Sequence, residues 1–220
     1  MKTFLDKVVA RLKFALSQRF KLGKILSVEE LSEFIATRAA YVAQTSLFGY
    51  LKTRMGTQFR TYFEDDGFSK LIHRSSINLF VSCLSDLTIY SVALIVEARA
   101  LPADRARALA YELYEAALYI GVEAKDHYMI PADASRRFQD RLEKTVWASA
   151  LHWKQTFEGS AEDLVRVAPV VDEFKSLDSE IVKNSIRFRW RDIREQLRKR
   201  LSAAEVVGSS AGSPLTGELL

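Results

Sequence analysis

Ile77-Asn-Leu-Phe-Val-Ser-Cys-Leu-Ser-Asp-Leu-Thr-Ile-Tyr-Ser-Val-Ala-Leu-Ile-Val96 is the stretch that decides the fold. It is nearly apolar and reaches the ~20 residues a membrane span needs, yet Asp86 sits near its centre. A charged Asp at mid-bilayer costs at least ~2.5 kcal/mol. Asn78, Ser82, Ser85, Thr88 and Ser91 add further polar groups. The stretch therefore reads as the buried central helix of a globular fold, running over about 69–99. An unpaired buried carboxylate is costly, so Asp86 needs a partner.

The preceding segment supplies a candidate. Leu31, Ile35 and Val42 form an apolar stripe at helical spacing, and Arg38 falls on it. An inward-facing guanidinium suits a carboxylate, so the expected pair is Arg38 with Asp86, with Tyr41 or Tyr50 as a further donor. Such a pair either fixes helix register or lines a ligand site.

Outward from this centre the pattern is helical almost throughout. Met1, Phe4, Leu5, Val8, Val9, Leu12, Leu16 and Phe20 form one apolar stripe. Ser27 with Glu30 is a capping-box pair opening the helix that carries Arg38, and Gly56 is a stop. Pro102 or Ala103 opens a helix to about Val122. Asp133 is an N-cap for a helix to about Phe157. Gly159-Ser160 reads as a break, after which Ser160 with Asp163 caps a short helix that Pro169 disturbs. The last long helix runs from about Asp178 to Ala203 on the stripe Ile186, Trp190, Ile193, Leu197 and Leu201. No strand pattern is present. The expected fold class is all-α, a single-domain bundle of six to seven helices. It divides into a basic amphipathic helix (1–24), the bundle (25–203) and a disordered tail (204–220) rich in Gly, Ser and Ala.

Charge is uneven. The 220 residues carry a net charge of +4, but residues 1–24 hold seven Lys/Arg against Asp6. Residues 179–203 hold eight against Glu180, Asp192 and Glu195. An acidic body thus carries two basic ends. Lys7, Arg11 and Lys13 interrupt the N-terminal apolar residues, so no secretory signal is read and a cytoplasmic protein is expected. The basic stripe with Phe14 off the apolar face suits peripheral contact with an anionic membrane surface. Arg187, Arg191, Arg194 and Arg198 form a basic patch on the last helix. Trp190 belongs to the core stripe, which argues against stacking on nucleic acid.

Catalytic and metal patterns are weak. Cys83 lies in the apolar stretch, reads as a small core residue and excludes an internal disulfide. His73, His127 and His152 lack the spacings of known metal motifs, and Glu123 with His127 reads as a surface pair. No metal or cofactor is expected. Glu112, Glu115, Tyr119 and Glu123 form an acidic row, either solvated or set against the basic last helix. Gly208-Ser-Ser-Ala-Gly212 matches the nucleophile-elbow pattern, but no strand precedes it and no histidine follows Ser210, so it reads as accidental.

The blocks Ile35-Ala-Thr-Arg-Ala-Ala-Tyr-Val-Ala-Gln-Thr-Ser-Leu-Phe-Gly-Tyr-Leu-Lys-Thr-Arg-Met-Gly-Thr57 and Cys83-Leu-Ser-Asp-Leu-Thr-Ile-Tyr90 resemble a poorly characterised family of bacterial all-helical proteins. Some of its members carry an automatic esterase label. The resemblance covers most of residues 1–200 and implies no catalytic residue. An α/β-hydrolase needs strands alternating with helices, which this pattern lacks. The functional expectation is a non-catalytic binding or scaffolding protein with an unidentified protein partner, and a homo-oligomer is compatible with it. The alternatives are a small-molecule binder or hydrolase using Asp86, Arg38 and Tyr41, and a weak nucleic-acid binder.

Overall fold

The computed structural model describes residues 23–62, 64–98 and 100–210. The expected N-terminal helix, with Lys7, Arg11, Lys13 and Phe14, lies outside the described residues. The first described helix, α1 (Val28–Met55), starts as its capping box predicts. Ser27 Oγ accepts from the Glu30 N–H at 3.2 Å, and Glu30 Oε2 accepts from the Leu26 N–H at 2.8 Å. It ends at Gly56, whose φ of 53° is a conformation only glycine adopts cheaply.

A 3₁₀ turn (Gly56–Gln58) and one turn of helix, α2 (Phe59–Tyr62), lead to α3 (Asp66–Glu97). Asp65 caps α3 by accepting from the Phe68 N–H at 2.6 Å. By length and composition α3 is the one described helix apolar enough to cross a membrane, but 89% of its most apolar window is buried within the protein. It is the central helix of the bundle.

Next come α4 (Ala103–Ile120), α5 (Ala134–Glu143), the single turn α6 (Trp153–Thr156), α7 (Glu158–Val167), α8 (Asp172–Arg200) and α9 (Ala203–Ser210). The architecture is an all-α bundle. α1 and α3 pack together, α4 covers both, α7 packs on α3, and α8 packs on α7 and α1. Where α4 ends, a Cβ on Gly121 would lie 2.1 Å from the Phe80 ring, so only glycine lets the chain pass this close to α3.

Three expectations need correction. The helix expected over 133–157 breaks after Glu143. Thr145 Oγ donates back to the Arg141 carbonyl at 2.8 Å, and a run of turns folds Trp147 and Ala150 into the core. The helix expected to be capped by Ser160 and Asp163 begins earlier, at Glu158, and Asp163 instead accepts from Ser82 Oγ and from Arg166 Nε. The tail is not disordered from 204. Residues 203–210 form α9, because Val206 is fully buried and Ser209 Oγ accepts the otherwise free Val28 N–H of α1 at 3.1 Å. Residues 211–220 lie outside the described residues.

The two ends of the bundle meet in a short parallel bridge between Ile25 and Leu201. The Ile25 N–H donates to Arg200 O at 2.8 Å and the Ser202 N–H to Ile25 O at 3.0 Å. Lys24 Nζ donates to Lys199 O and Arg200 Nε to Gly23 O. The start of the described chain is thereby fastened to the basic end of α8.

Candidate functional site

Asp86 is completely buried, as its setting in α3 predicts. Its partner is not Arg38. Arg141 of α5 donates from Nη1 to Asp86 Oδ1 at 2.6 Å, and the Ser160 backbone N–H of α7 donates to Oδ2 at 2.9 Å. The same guanidinium bonds Ser85 Oγ at 2.8 Å and the Thr156 carbonyl at 2.8 Å. Ser160 lies in the first turn of α7, where the N–H groups have no partners within the helix. The carboxylate acts as a cap delivered from another helix, favoured by the positive end of the α7 dipole.

Gly159 completes the enclosure. A Cβ there would sit 3.1 Å from Asp86 Oδ1. Ser160 Oγ in turn accepts from Trp190 Nε1 at 3.0 Å, and Trp190 packs on Phe157 with ring centroids 4.6 Å apart. One carboxylate thus joins α3, α5, α7 and, through Ser160, α8. Burial pushes the Asp86 carboxyl above its ordinary value, while Arg141 and Ser160 pull it back.

Arg38 is buried, as its place on the stripe predicts, but its guanidinium lies 5.4 Å from the Phe34 ring centroid on its own helix. Tyr41 is half-buried against the core. The structure does not assemble Asp86, Arg38 and Tyr41 into one site. The signal for Arg141 was present in the sequence. Ala134, Phe138, Arg141 and Leu142 fall at helical spacing on one face, the same pattern that singled out Arg38. Cys83 is fully buried and burial raises its thiol pKa well above the ordinary range, so it is protonated near neutral pH.

Comparison with known proteins returns no family model, curated protein or solved structure that matches the chain.

The remaining polar groups sit as follows. Among the described residues no group of three or more His, Cys, Asp and Glu could hold a metal ion. His73 Nε2 lies 3.1 Å from Asp126 Oδ2, a contact no local spacing signalled. His127 Nε2 lies 3.0 Å from the Val122 carbonyl and Glu123 pairs with Lys125, so Glu123 and His127 do not form the expected pair. His152 is exposed. Ser210 ends a helix and donates to Val207 O, so the strand-turn-helix elbow that Gly-x-Ser-x-Gly needs does not form around it.

The basic patch is partly neutralised in cis. Arg187 donates to both Glu158 oxygens, at 2.9 and 2.6 Å. Arg198 Nε donates to Tyr90 OH at 2.7 Å. Burial lowers the pKa of Arg194. Arg191 is exposed and stacks 4.4 Å from the Phe188 ring centroid. Towards the other end of α8, Arg54 of α1 grips Asp178 with two hydrogen bonds, which hold that carboxyl below its ordinary value. The carboxylate that α7 brings against the basic patch is therefore Glu158, while Asp178 belongs to α8 itself and meets a cation of α1. The acidic row of α4 is placed elsewhere: α4 packs on α1, α3 and α5. Trp190 is fully buried, so its ring is not offered to a base.

Proposed function

We propose that this chain is a non-catalytic docking protein of the cytoplasm that engages an anionic surface, the inner face of a membrane, through its cationic end. The observation that carries the reading is the sealed state of Asp86. A general acid, a base or a ligand-binding carboxylate has to meet its substrate, and Asp86 is 0% exposed with both oxygens engaged. The most chemically distinctive group of the chain is spent on holding helices together. That leaves the surface as the place of function.

Charge placement supports the second half of the reading. The Ile25–Leu201 bridge sets Gly23 and Lys24 beside Lys199 and Arg200. The sequence before Gly23 holds six further Lys/Arg. Clustered cations beside an amphipathic sequence are attracted to anionic lipid, by about 1 kcal/mol per Lys or Arg near the surface.

The test is co-sedimentation of the full chain with phosphatidylcholine vesicles and with vesicles also containing phosphatidylglycerol. Binding is expected to the anionic vesicles alone and to fall with added salt. Combined Lys7→Glu, Arg11→Glu and Lys13→Glu substitutions should abolish it. Equal binding by the substituted and parent chains excludes the membrane anchor.

A further inference from the structure

α8 buries Val182, Ile186, Trp190, Ile193 and Leu197 along one stripe. On the opposite face Phe174, Leu177, Ile181 and Phe188 stand 42%, 71%, 74% and 60% exposed. Single exposed hydrophobics are ordinary, but four aligned on one helix face are not. With Asn184 and Arg191 their spacing is three, four, three, four, three, the alternation of a two-helix seam. Phe174, Ile181 and Phe188 take one row, and Leu177, Asn184 and Arg191 the other.

The charge pattern names the occupant. The first part of α8 is acidic, with Asp172, Glu173, Asp178 and Glu180 against Lys175. From Lys183 onward it is basic, with eight Lys/Arg against Asp192 and Glu195. An anionic bilayer would repel the half that carries three of the four apolar residues. We propose that this face docks on the same face of a second copy of the chain, antiparallel, to form a two-fold dimer.

Antiparallel pairing lays each acidic half on a basic half. In the register that sets Leu177 against Phe188 of the second copy, Ile181 meets Asn184 and Phe174 meets Arg191. The row flanking the seam is Glu173, Glu180, Arg187 and Arg194. The same register brings Glu180 to Arg187, whose guanidinium also holds Glu158 of its own chain, and Glu173 to the partly buried Arg194 of the other copy, each pair occurring twice. One register thus satisfies both the apolar seam and the charged flank. A parallel pair would set Glu173 against Asp178 and basic half on basic half. Beside the seam runs an open groove of about 660 Å³, with Asn184, Arg187, Phe188 and Arg191 on one side and Gln155 and Glu158 on the other. It leaves room for the side chains of an approaching helix.

The experiment is sedimentation velocity on the full chain over a wide range of concentration, with far-UV circular dichroism to verify folding. A reversible dimer is expected, and Leu177→Asp or Phe188→Asp should leave only monomer. Glu180→Arg and Arg187→Glu, taken alone, should each weaken the dimer by about tenfold, because each meets a like charge twice. Mixing those two variants should restore association, since every flanking pair is then opposite in sign. A chain that stays monomeric throughout overturns the proposal. So does a dimer indifferent to Leu177→Asp and Phe188→Asp, or a mixture no stronger than its components. Vesicle binding by a monomer, lost in Leu177→Asp, would assign the face to lipid instead. The seam is made by residues 174–191 and includes none of Lys7, Arg11 and Lys13, so their substitution should leave the dimer unchanged, and either reading can fail alone.

Discussion

α3 and α8 invert the usual arrangement in opposite ways. α3 takes a carboxylate into the middle of the core, and α8 turns a ridge of large apolar side chains out to water. The first is compensated inside the molecule: Arg141, the Ser160 N–H and the start of α7 surround Asp86. On the second, Arg54 and Arg191 stack on the Phe174 and Phe188 rings, but Leu177 and Ile181 stand open to water. A buried charge closed by three elements specifies how those elements meet. An aligned exposed ridge specifies how the molecule meets something else. The two regions should therefore respond differently to substitution, and that difference can be measured.

The largest effect is expected at Arg141. Arg141→Met leaves Asp86 buried without its counter-charge, a change that costs about 3–5 kcal/mol in buried pairs. The Arg141 side chain is 31% exposed, so water screens part of the interaction and the lower end, about 3 kcal/mol, is expected in chemical denaturation. The loss should depend on pH. Burial raises the folded pKa of Asp86 above its ordinary 3.8, so the folded state holds this proton more tightly than the unfolded chain does. The contribution of Asp86 to stability is then greatest below 3.8 and declines as pH rises through the window up to the folded value. Removing Arg141 raises that folded value further. The penalty of Arg141→Met should be largest near neutral pH and shrink towards pH 4, where a protonated Asp86 needs no counter-charge. A penalty independent of pH would mean that Arg141 serves only as packing.

How much of this was legible differs between the two regions. Local signals were reliable where one segment decides its own state. Ser27 with Glu30, Gly56 and the apolar run of α3 set their helices as expected, and Asp86 was placed in the core. The identity of its partner was not legible, because it depends on how helices far apart in sequence come together. Arg38 and Arg141 lie on equivalent inward stripes, and periodicity cannot rank them. What separates them is Gly159-Ser160, which reads locally as a break. In the fold it is the first turn of a helix whose free N–H needs an acceptor. The ridge on α8 was hidden for a related reason. Its members share a helix with a strong core stripe, and the core stripe alone was sufficient to account for the helix. The break after Glu143 was missed because nothing in a single-segment pattern shows that Trp147 and Ala150 must turn back to reach the core.

A smaller effect is expected at Gly159. A methyl group there would approach Asp86 Oδ1 to 3.1 Å and Arg141 Nη1 to 3.6 Å, so the pair has to shift by a few tenths of an ångström. Glycine within a helix otherwise costs ~0.5–1 kcal/mol relative to alanine. Gly159→Ala therefore sets a propensity gain against crowding of a charged hydrogen bond. Crowding should win, giving a net loss of about 1 kcal/mol by denaturant titration. A stabilised Gly159→Ala chain would show that the enclosure is looser than its geometry, and would weaken the contrast with α8.

The smallest effect on the isolated chain is expected on the ridge, and it sharpens the comparison most. Leu177 is 71% exposed, so Leu177→Asp removes little buried apolar area from a single copy. In dilute solution its unfolding free energy should stay within about 0.5 kcal/mol of the parent. At higher concentration the two chains should diverge. Association that favours the folded state raises the unfolding midpoint of the parent with protein concentration, and the variant, unable to associate, should show no such rise. Arg141→Met should behave the other way, losing stability by the same amount at every concentration while keeping the parent's concentration dependence. A melting series on the three chains thus separates a residue that holds the molecule together from one that holds two molecules to each other. If Leu177→Asp were as destabilising in dilute solution as Arg141→Met, the outer face of α8 would be part of the core in all but position, and the contrast with α3 would fail.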